Sequence, residues 1–269
     1  MTYDTREVSN YDGAPIALYE FIIGGIYWRY TSARRDITVA GATWESMAIS
    51  DEGITASGDS ADDEFKITMP SSPFTDMFIG TPPSSAIYVN VRRVHHDDND
   101  APIVWAGTLK SVKRNNAISF EIICRTITSS LNRLGLRLNF SRNCPHSLYD
   151  LNCMVNKAAY ALNATVMSVT GNSFIHNGPV PGIANYYSGG FIEFTVNGLV
   201  ERRPIESQVG STITLLTTTD DMVTGMTVTM YPGCDRTTST CNSKFNNLSN
   251  YGGFPNLPTK SPFDFDPVF

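Results

Sequence analysis

The chain has 269 residues, of which 41% are hydrophobic, and its formal net charge is −6. A chain of this length can bury a sizeable core and favours two or three domains over one. The modest acidic charge argues against a protein that binds duplex nucleic acid through clustered Lys and Arg, so we expect no sequence-specific nucleic acid partner.

Two features of the sequence bear on membranes and export. The most apolar stretch, "PIALYEFIIGGIYW" at residues 15–28, contains Glu20 and is shorter than the roughly 20 apolar residues of a spanning helix. It therefore predicts buried strands and no membrane span. The N-terminal "MTYDTREVSN" has no basic start followed by an apolar run, so we expect no signal peptide and synthesis in a cytosol.

The first 140 residues are predicted to be all β. Residues 16–50 alternate apolar and polar side chains in short runs broken by Gly24, Gly25 and Gly41, which is the pattern of β-hairpins. Further β-rich runs follow at residues 63–70, 86–94, 103–114 and 117–127. A Pro/Ser-rich crossing at residues 70–85 separates the first two runs. We therefore predict two similar small β-barrel or sandwich domains, at residues 1–75 and 76–140.

The composition changes near residue 140. The stretch "RNCPHSLYDLNCMVNKAAYALN" at residues 142–163 is the best candidate for a helix, and β-rich runs then resume at residues 164–175, 190–198, 211–219 and 225–231. This pattern predicts a β-rich third domain at residues 141–255. Residues 256–269 are rich in Pro, Phe and Asp and predict an irregular tail that either docks on a neighbour or is disordered.

The five cysteines divide into one single residue and two pairs. Cys124 lies inside the apolar run "SFEIICRTI", where a free cysteine behaves as a small hydrophobe and packs. The pairs are Cys144 with Cys153 and Cys234 with Cys241, and turn-forming residues flank both. Disulfides are disfavoured in a reducing cytosol, and zinc prefers more closely spaced pairs than these. An iron-sulfur cluster, zinc and unrelated thiols stay open on residue chemistry alone.

Helix geometry limits how these pairs share one centre. In a continuous helix, Cys144 and Cys153 would point to opposite faces, and Cys234 and Cys241 would lie ~10 Å apart along the axis. We therefore expect a chain break between the first two cysteines and a loop between the second two. Thiolates from two such segments would staple the C-terminal domain together.

Three stretches resemble one known family. They are "ALYEFIIGGIYWRYTSARRDI" at residues 17–37, "CPHSLYDLNCMVNKAAYA" at residues 144–161 and "GCDRTTSTCNSKFNNLSNYGGFPNLP" at residues 233–258. The sequence resembles the phage distal tail hub family, which includes the minor tail protein L of lambda-like phages and the hub protein of gene transfer agents. The most specific motif residues are Gly233, Cys234, Asp235, Thr237, Cys241, Phe245, Asn247, Gly253, Phe254 and Pro255.

The resemblance implies a cofactor and a fold. In this family four cysteines hold an iron-sulfur cluster, and the positions that match are Cys144, Cys153, Cys234 and Cys241. The resemblance thus favours a 4Fe-4S cluster over zinc. The implied fold is mainly β, with tandem small β-barrel or sandwich hub domains followed by a β-rich C-terminal domain that the cluster staples.

The resemblance also implies an assembly. It predicts a non-enzymatic virion protein of the tail tip, made and assembled in the bacterial host cytoplasm. The chain would form a homotrimeric ring around a DNA channel, with a distal tail or tube-end protein on one side and a central fibre or spike protein on the other.

Two other functions compete with the hub. A tail-associated cell-wall hydrolase would need a nucleophile with a base, and the nearest sequence pair is Cys144 with His146. The run from His95 to Asp98 is a conceivable metal site, although its place between two strands favours a solvated hairpin end. No hydrolase or metalloprotease motif is present. A receptor-binding tail-tip protein is the third alternative.

Overall fold

The computed structural model describes residues 7–8, 15–54, 64–95, 99–132 and 140–258. The chain divides into two compact units, Met1–Arg133 and Leu134–Phe269. The strands are β1 (Pro15–Ile23), β2 (Ile26–Thr31), β3 (Ile37–Val39), β4 (Ala42–Ser46), β5 (Ser50–Asp51), β6 (Glu64–Pro70), β7 (Tyr88–His95), β8 (Ile103–Arg114), β9 (Ser119–Thr126), β10 (Leu162–Thr170), β11 (Ser173–His176), β12 (Phe191–Val196), β13 (Leu199–Val209), β14 (Thr212–Leu215) and β15 (Thr227–Tyr231).

The helical elements are few and short. They are the α-helices α1 (Pro73–Asp76) and α2 (Thr238–Ser243) and three 3-10 helices, Ile127–Asn132, Lys157–Tyr160 and Leu248–Asn250. Among the residues that the structure describes, no helix is long and apolar enough to cross a membrane. The prediction of a mainly β chain is therefore confirmed.

The N-terminal unit is one nine-stranded sheet in the order β3-β4-β2-β1-β7-β8-β9-β6-β5. The hairpin of β1 and β2 turns through Gly24 and Gly25, whose φ angles of 55° and 88° suit glycine. β1 pairs with β7 and β6 pairs with β9. The described strands on either side of residue 75 thus share one sheet, which the sequence pattern did not indicate.

Aromatic side chains fill part of the core of this unit. Phe74 of α1 is buried and stacks on Phe21 of β1 with ring centroids 4.3 Å apart. α1 is held by a capping box in which Ser72 accepts the Thr75 main-chain N–H. A single turn of helix thereby places a large apolar side chain against the sheet.

The C-terminal unit contains a closed six-stranded barrel in the order β10-β11-β14-β13-β12-β15. Its buried core includes Phe174, Ile192, Ile205, Ile213 and Met230. β15 pairs with both β10 and β12, which closes the barrel. The two segments that carry the paired cysteines flank these strands in sequence, at residues 140–161 and 232–258.

The sequence pattern missed β13, which is the longest strand of the barrel. Its even alternation of buried and exposed residues places Leu199, Glu201, Arg203 and Ile205 on one buried face. Two of those four inward residues are charged, and Pro204 lies between Arg203 and Ile205. The charges and the proline hid the period-2 pattern that marks a half-buried strand.

Candidate functional site

The C-terminal unit has a cavity of about 160 Å³ that all four paired cysteines line. Cys144, Cys153, Cys234 and Cys241 are all free thiols. Other side chains around the cavity are Val155, Phe245, Asn247, Asn250 and Tyr251. Within the described ranges, no three His, Cys, Asp or Glu side chains are placed to hold a single metal ion. The four thiols thus line one cavity, but the described side chains are not arranged to bind a single metal ion.

The segment that carries Cys144 and Cys153 is a series of turns. Tyr149 and Met154 adopt positive φ angles of 69° and 60°, which cost energy in non-glycine residues. Asp150 accepts the main-chain N–H groups of Ser147, Asn152 and Cys153. The chain break expected between Cys144 and Cys153 is therefore confirmed, and the helix candidate at residues 142–163 is wrong, because the Asp150 carboxylate satisfies N–H groups that a helix would need. Lys157–Tyr160 form one 3-10 turn there.

The Asp150 carboxylate is stabilised in its charged form. Burial opposes ionisation, but the three N–H donors outweigh it and lower the pKa of Asp150. One of these donors is the Cys153 N–H at 2.6 Å. An ionised Asp150 therefore fixes the backbone at one of the four cysteines.

The segment that carries Cys234 begins where β15 ends. A Cβ atom added to Gly233 would lie 2.1 Å from the Ser188 carbonyl oxygen and 2.4 Å from the Gly190 nitrogen. A Cβ atom on Gly190 would lie 2.0 Å from the Tyr231 carbonyl oxygen. Two backbones thus pack so closely that only glycine fits at either position. This contact sets Cys234 beside the loop that precedes β12.

Cys241 lies on α2, which begins after the N-cap Thr237. The Thr237 side chain accepts the Thr240 N–H at 3.2 Å, and Asp235 accepts the Thr237 N–H at 2.9 Å. The prediction of a loop from Cys234 to Cys241 is correct only as far as Thr237. A capped turn of helix then turns Cys241 towards the cavity.

Hydrogen bonds join the two cysteine segments directly. The Cys144 N–H donates to the Arg236 carbonyl at 3.0 Å. The Tyr251 hydroxyl lies 2.7 Å from the Arg142 carbonyl and 3.1 Å from the Arg236 carbonyl. In addition, the Tyr149 hydroxyl donates to the Pro232 carbonyl at 3.0 Å. Residues distant in sequence are therefore held around one cavity.

Each of the four sulfur atoms has a hydrogen-bond partner. Main-chain N–H groups of Arg236 and Gly252 donate to the sulfurs of Cys234 and Cys144, at 3.3 and 3.4 Å. The Asn247 side-chain amide lies 3.8 Å from the Cys153 sulfur as a donor. The Cys241 thiol donates to the Asn247 carbonyl at 3.3 Å. Three of the sulfurs thus receive N–H groups, as expected of sites that hold thiolates.

Burial makes the thiols of Cys234 and Cys241 hard to ionise without compensation. Burial raises the pKa of Cys234, and the Arg236 N–H partly offsets this. Burial also raises the pKa of Cys241, and negative charge on the other three cysteines adds to the effect. Four thiolates would therefore repel one another here unless positive charge were bound between them.

Lys244 supplies a half-buried ammonium group near Cys234. Its Nζ atom donates to the Gly233 carbonyl at 2.7 Å and also to the Tyr186 carbonyl. Burial lowers the pKa of Lys244, while the charges of Cys234 and Asp235 act in the opposite direction. The cation is directed at the backbone that positions Cys234.

The other residues singled out in the sequence have different places. Cys124 is fully buried in β9, as predicted, and burial raises the pKa of its thiol to about 12. His95 ends β7, and its side chain is buried with Nε2 3.0 Å from Glu7, so the solvated hairpin end predicted there is wrong for this residue. His96, Asp97 and Asp98 lie outside the described residues.

His146 lines the same cavity as Cys144. Its Nδ1 atom is buried and has no hydrogen-bond partner in the part of the chain that the structure describes. Its ring packs on the Gly252 backbone, where an added Cβ would lie 2.5 Å from it. The Cys144 sulfur accepts the Gly252 N–H. His146 thus contacts the glycine that donates to Cys144.

Comparison with solved structures identifies the fold. The chain is similar to a chain in the structure described as "Virion of native gene transfer agent (GTA) particle", with 20% sequence identity and a TM-score of 0.81. The match covers 98% of this chain and 95% of the other. A sheet unit followed in the chain by a barrel unit is therefore the fold of a known virion component. No curated protein matches the sequence.

Family models identify the particular group of proteins. A model described as "Baseplate hub protein, N-terminal attachment domain" matches residues 22–156, and one described as "Phage conserved hypothetical protein BR0599" matches residues 185–261. The first covers half of the chain, so the chain belongs to the family of phage baseplate hub proteins. It is accordingly a virion protein.

Proposed function

We propose that the chain is a structural hub at the distal end of a phage tail. The observation that carries this proposal is the match of residues 22–156 to the N-terminal attachment domain of baseplate hub proteins. In this proposal the chain forms a homotrimeric ring that joins the distal tail or tube-end protein to a central fibre or spike protein. The ring surrounds the DNA channel, and the net charge of −6 suits a surface past which DNA slides.

The proposed hub has no enzymatic role. Its rivals are a cell-wall hydrolase and a receptor binder. A hydrolase built on Cys144 and His146 would need the imidazole to accept the thiol proton. The neighbouring donor to the Cys144 sulfur is instead the Gly252 N–H, and this arrangement supports a ligand role for Cys144.

The cofactor that we propose at the four cysteines is a 4Fe-4S cluster. Such a cluster takes one thiolate at each iron, so its ligands surround a larger centre than the ligands of one zinc ion do. Four thiols on one cavity, without a single-ion group among the described residues, fit this requirement better than they fit zinc. The iron atoms would supply the positive charge that lets four thiolates coexist around one cavity.

The residues around the cavity have separate tasks in this proposal. Cys144, Cys153, Cys234 and Cys241 hold the cluster. The N–H groups directed at three sulfurs stabilise thiolate charge. Buried Val155 and Phe245 keep water from the cavity. The cluster would act as a cross-link between residues 140–161 and 232–258.

Metal analysis tests the cofactor. We would purify the chain without oxygen and measure iron, acid-labile sulfide and zinc. We expect about four irons and four sulfides per chain, both lost in Cys234→Ser. Cys124→Ala, at a buried cysteine of the other unit, should keep both. Zinc without sulfide would refute the cluster and leave the hub proposal standing.

Binding and assembly tests address the hub. Native mass spectrometry should find three copies in the assembled ring. The purified protein should bind the tube-end and fibre proteins of its own phage and should not bind host cells. A stable monomer that binds cells alone would favour the receptor binder, and turnover of peptidoglycan would favour the hydrolase.

A further inference from the structure

Asn247 is tied through its backbone to one of the four cysteines. It follows α2 and is only 9% exposed. Its N–H donates to the Cys241 carbonyl at 3.0 Å, and its carbonyl accepts the Cys241 thiol at 3.3 Å. Because both bonds use main-chain atoms of Asn247, a substitution of its side chain would not remove either of them.

The side chain of Asn247 reaches a second cysteine from the other segment. Its Nδ2 group donates to the Cys153 carbonyl and lies 3.8 Å from the Cys153 sulfur. Its Oδ1 atom accepts the Asn250 Nδ2 group at 2.6 Å. Asn250 therefore occupies the amide oxygen, and the amide N–H groups face Cys153.

We propose that Asn247 is a positioning residue that sets the place and the charge of the Cys153 sulfur relative to Cys241. An N–H donor beside a thiolate stabilises negative charge, which in an iron-sulfur site favours the reduced state and raises the reduction potential. The other described donors, Arg236 and Gly252, use main-chain N–H groups. Asn247 is thus the position where a side-chain change alters a sulfur contact.

The identity of the cofactor in this inference rests on the proposed function, but the contact between Asn247 and Cys153 does not. Asn247→Ala removes the side-chain contact and keeps the main-chain bond from the Asn247 N–H to the Cys241 carbonyl, which does not depend on the state of the Cys241 sulfur. Asn247→Asp keeps the size and replaces the donor with a carboxylate oxygen. Asn250→Ala leaves Asn247 in place but removes the bond that orients its amide. Asn242→Ala, at an exposed position of α2, is the matched control.

The experiment measures the midpoint potential and the rate of iron loss to a chelator in the full chain. We expect iron loss about 10-fold faster in Asn247→Ala, the low end of the usual cost of removing an outer contact. We also expect a lower midpoint potential. Asn247→Asp should show an equal or larger change, Asn250→Ala a smaller change of the same sign, and Asn242→Ala none. If both Asn247 variants have the midpoint potential and the rate of iron loss of the wild type, the proposal is overturned.

Thiol alkylation separates this inference from the cluster proposal. If the purified wild-type protein contains no iron and no sulfide, the cluster proposal is refuted. Alkylation of the wild type and of the same variants then decides the Asn247 proposal. Labelling is done at a pH well above the ordinary pKa of a thiol, so that the rate reports the accessibility of the sulfur and not its ionisation. Because Asn247→Ala loses the bond to the Cys153 carbonyl, we expect faster labelling of Cys153 there, with Cys144 and Cys234 labelled as in the wild type. Unchanged labelling of Cys153, or equal acceleration at all sites, would overturn it.

Discussion

At the scale of single residues, the cysteine site depends on a glycine that cannot carry a side chain. Any Cβ at Gly233 would overlap backbone atoms of residues 188–190, and backbone cannot move aside as a flexible side chain can. We expect Gly233→Ala to cost about 1–3 kcal/mol of local stability, as overpacking does. Hydrogen exchange of peptides covering residues 185–190 and 231–245 would measure the loss.

Gly182 provides the control for that substitution. A Cβ at Gly182 would have no atom within 4 Å, so Gly182→Ala should leave exchange at residues 185–190 and 231–245 unchanged. Equal effects of the two substitutions would mean that the close backbone contact at Gly233 contributes nothing.

A second residue-scale prediction concerns pH. His176 is 2% exposed, its Nδ1 atom accepts the Gly178 N–H at 3.1 Å, and burial lowers its pKa below the ordinary 6.5. The unfolded chain therefore binds the proton first as the pH falls. His176 should contribute stability that is complete above about pH 6.5 and is lost as the pH falls towards its folded pKa.

The measurement is the unfolding of the barrel between pH 7 and pH 5. The wild type should lose stability over this interval, and His176→Gln should show a flatter dependence because it has no imidazole to protonate. A parallel dependence in the two proteins would assign the effect to another group.

At the scale of elements, β13 carries a buried ion pair inside the barrel. Arg203 lies 2.8 Å from Glu201 and 3.0 Å from Asp221, and the side chains of Arg203 and Glu201 are 3% and 7% exposed. Removing one partner of a buried pair costs about 3–5 kcal/mol, because the remaining charge loses its compensation. Arg203→Met should therefore destabilise the barrel strongly in chemical denaturation.

Neighbouring substitutions on β13 test that explanation. Arg202 is 63% exposed and pairs with Glu193 at the surface, so Arg202→Ala should cost no more than about 1 kcal/mol. The double variant Arg203→Met with Glu201→Gln should recover part of the loss, since it removes the uncompensated carboxylate. A double variant no more stable than Arg203→Met alone would contradict the electrostatic cause.

The same strand shows what the sequence pattern can and cannot predict. Strands whose inward residues are apolar, such as β6 and β12, follow directly from alternation. β13 was missed because Glu201 and Arg203 occupy inward positions. Pairing of β1 with β7 is a contact between distant segments, and no local pattern encodes it. The local pattern therefore predicts strands well and their partners poorly.

The candidate site, like the fold, was only partly predictable, because the sequence shows residue types but not which distant residues contact one another. The four cysteines and the glycine before Cys234 stand out as residue types. By contrast, Asn247 belongs to the family motif, but the sequence assigns it no role. Its contacts to Cys153 and Cys241 exist only after the two cysteine segments meet. Asp150 likewise looks like an ordinary polar residue until its N–H donors are seen.

At the scale of the whole molecule, the two units and the cysteine segments have different sources of stability. The sheet of the N-terminal unit and the barrel each have a buried core of their own. Residues 140–161 and 232–258 have few buried apolar side chains, and hydrogen bonds and the four cysteines connect them. A bound metal centre stabilises such segments because its binding energy becomes folding energy.

Loss of the proposed cluster should therefore destabilise the two cysteine segments and leave the sheet and the barrel stable. In Cys153→Ser, hydrogen exchange should accelerate at residues 140–161 and 232–258, while the barrel strands and the sheet of residues 15–126 keep the protection of the wild type. Cys124→Ala should not accelerate exchange in either cysteine segment, because Cys124 is buried in the other unit. Loss of protection throughout the barrel would show that its core depends on the cysteine site. Unchanged exchange in both segments would show that their hydrogen bonds hold them without a bound centre.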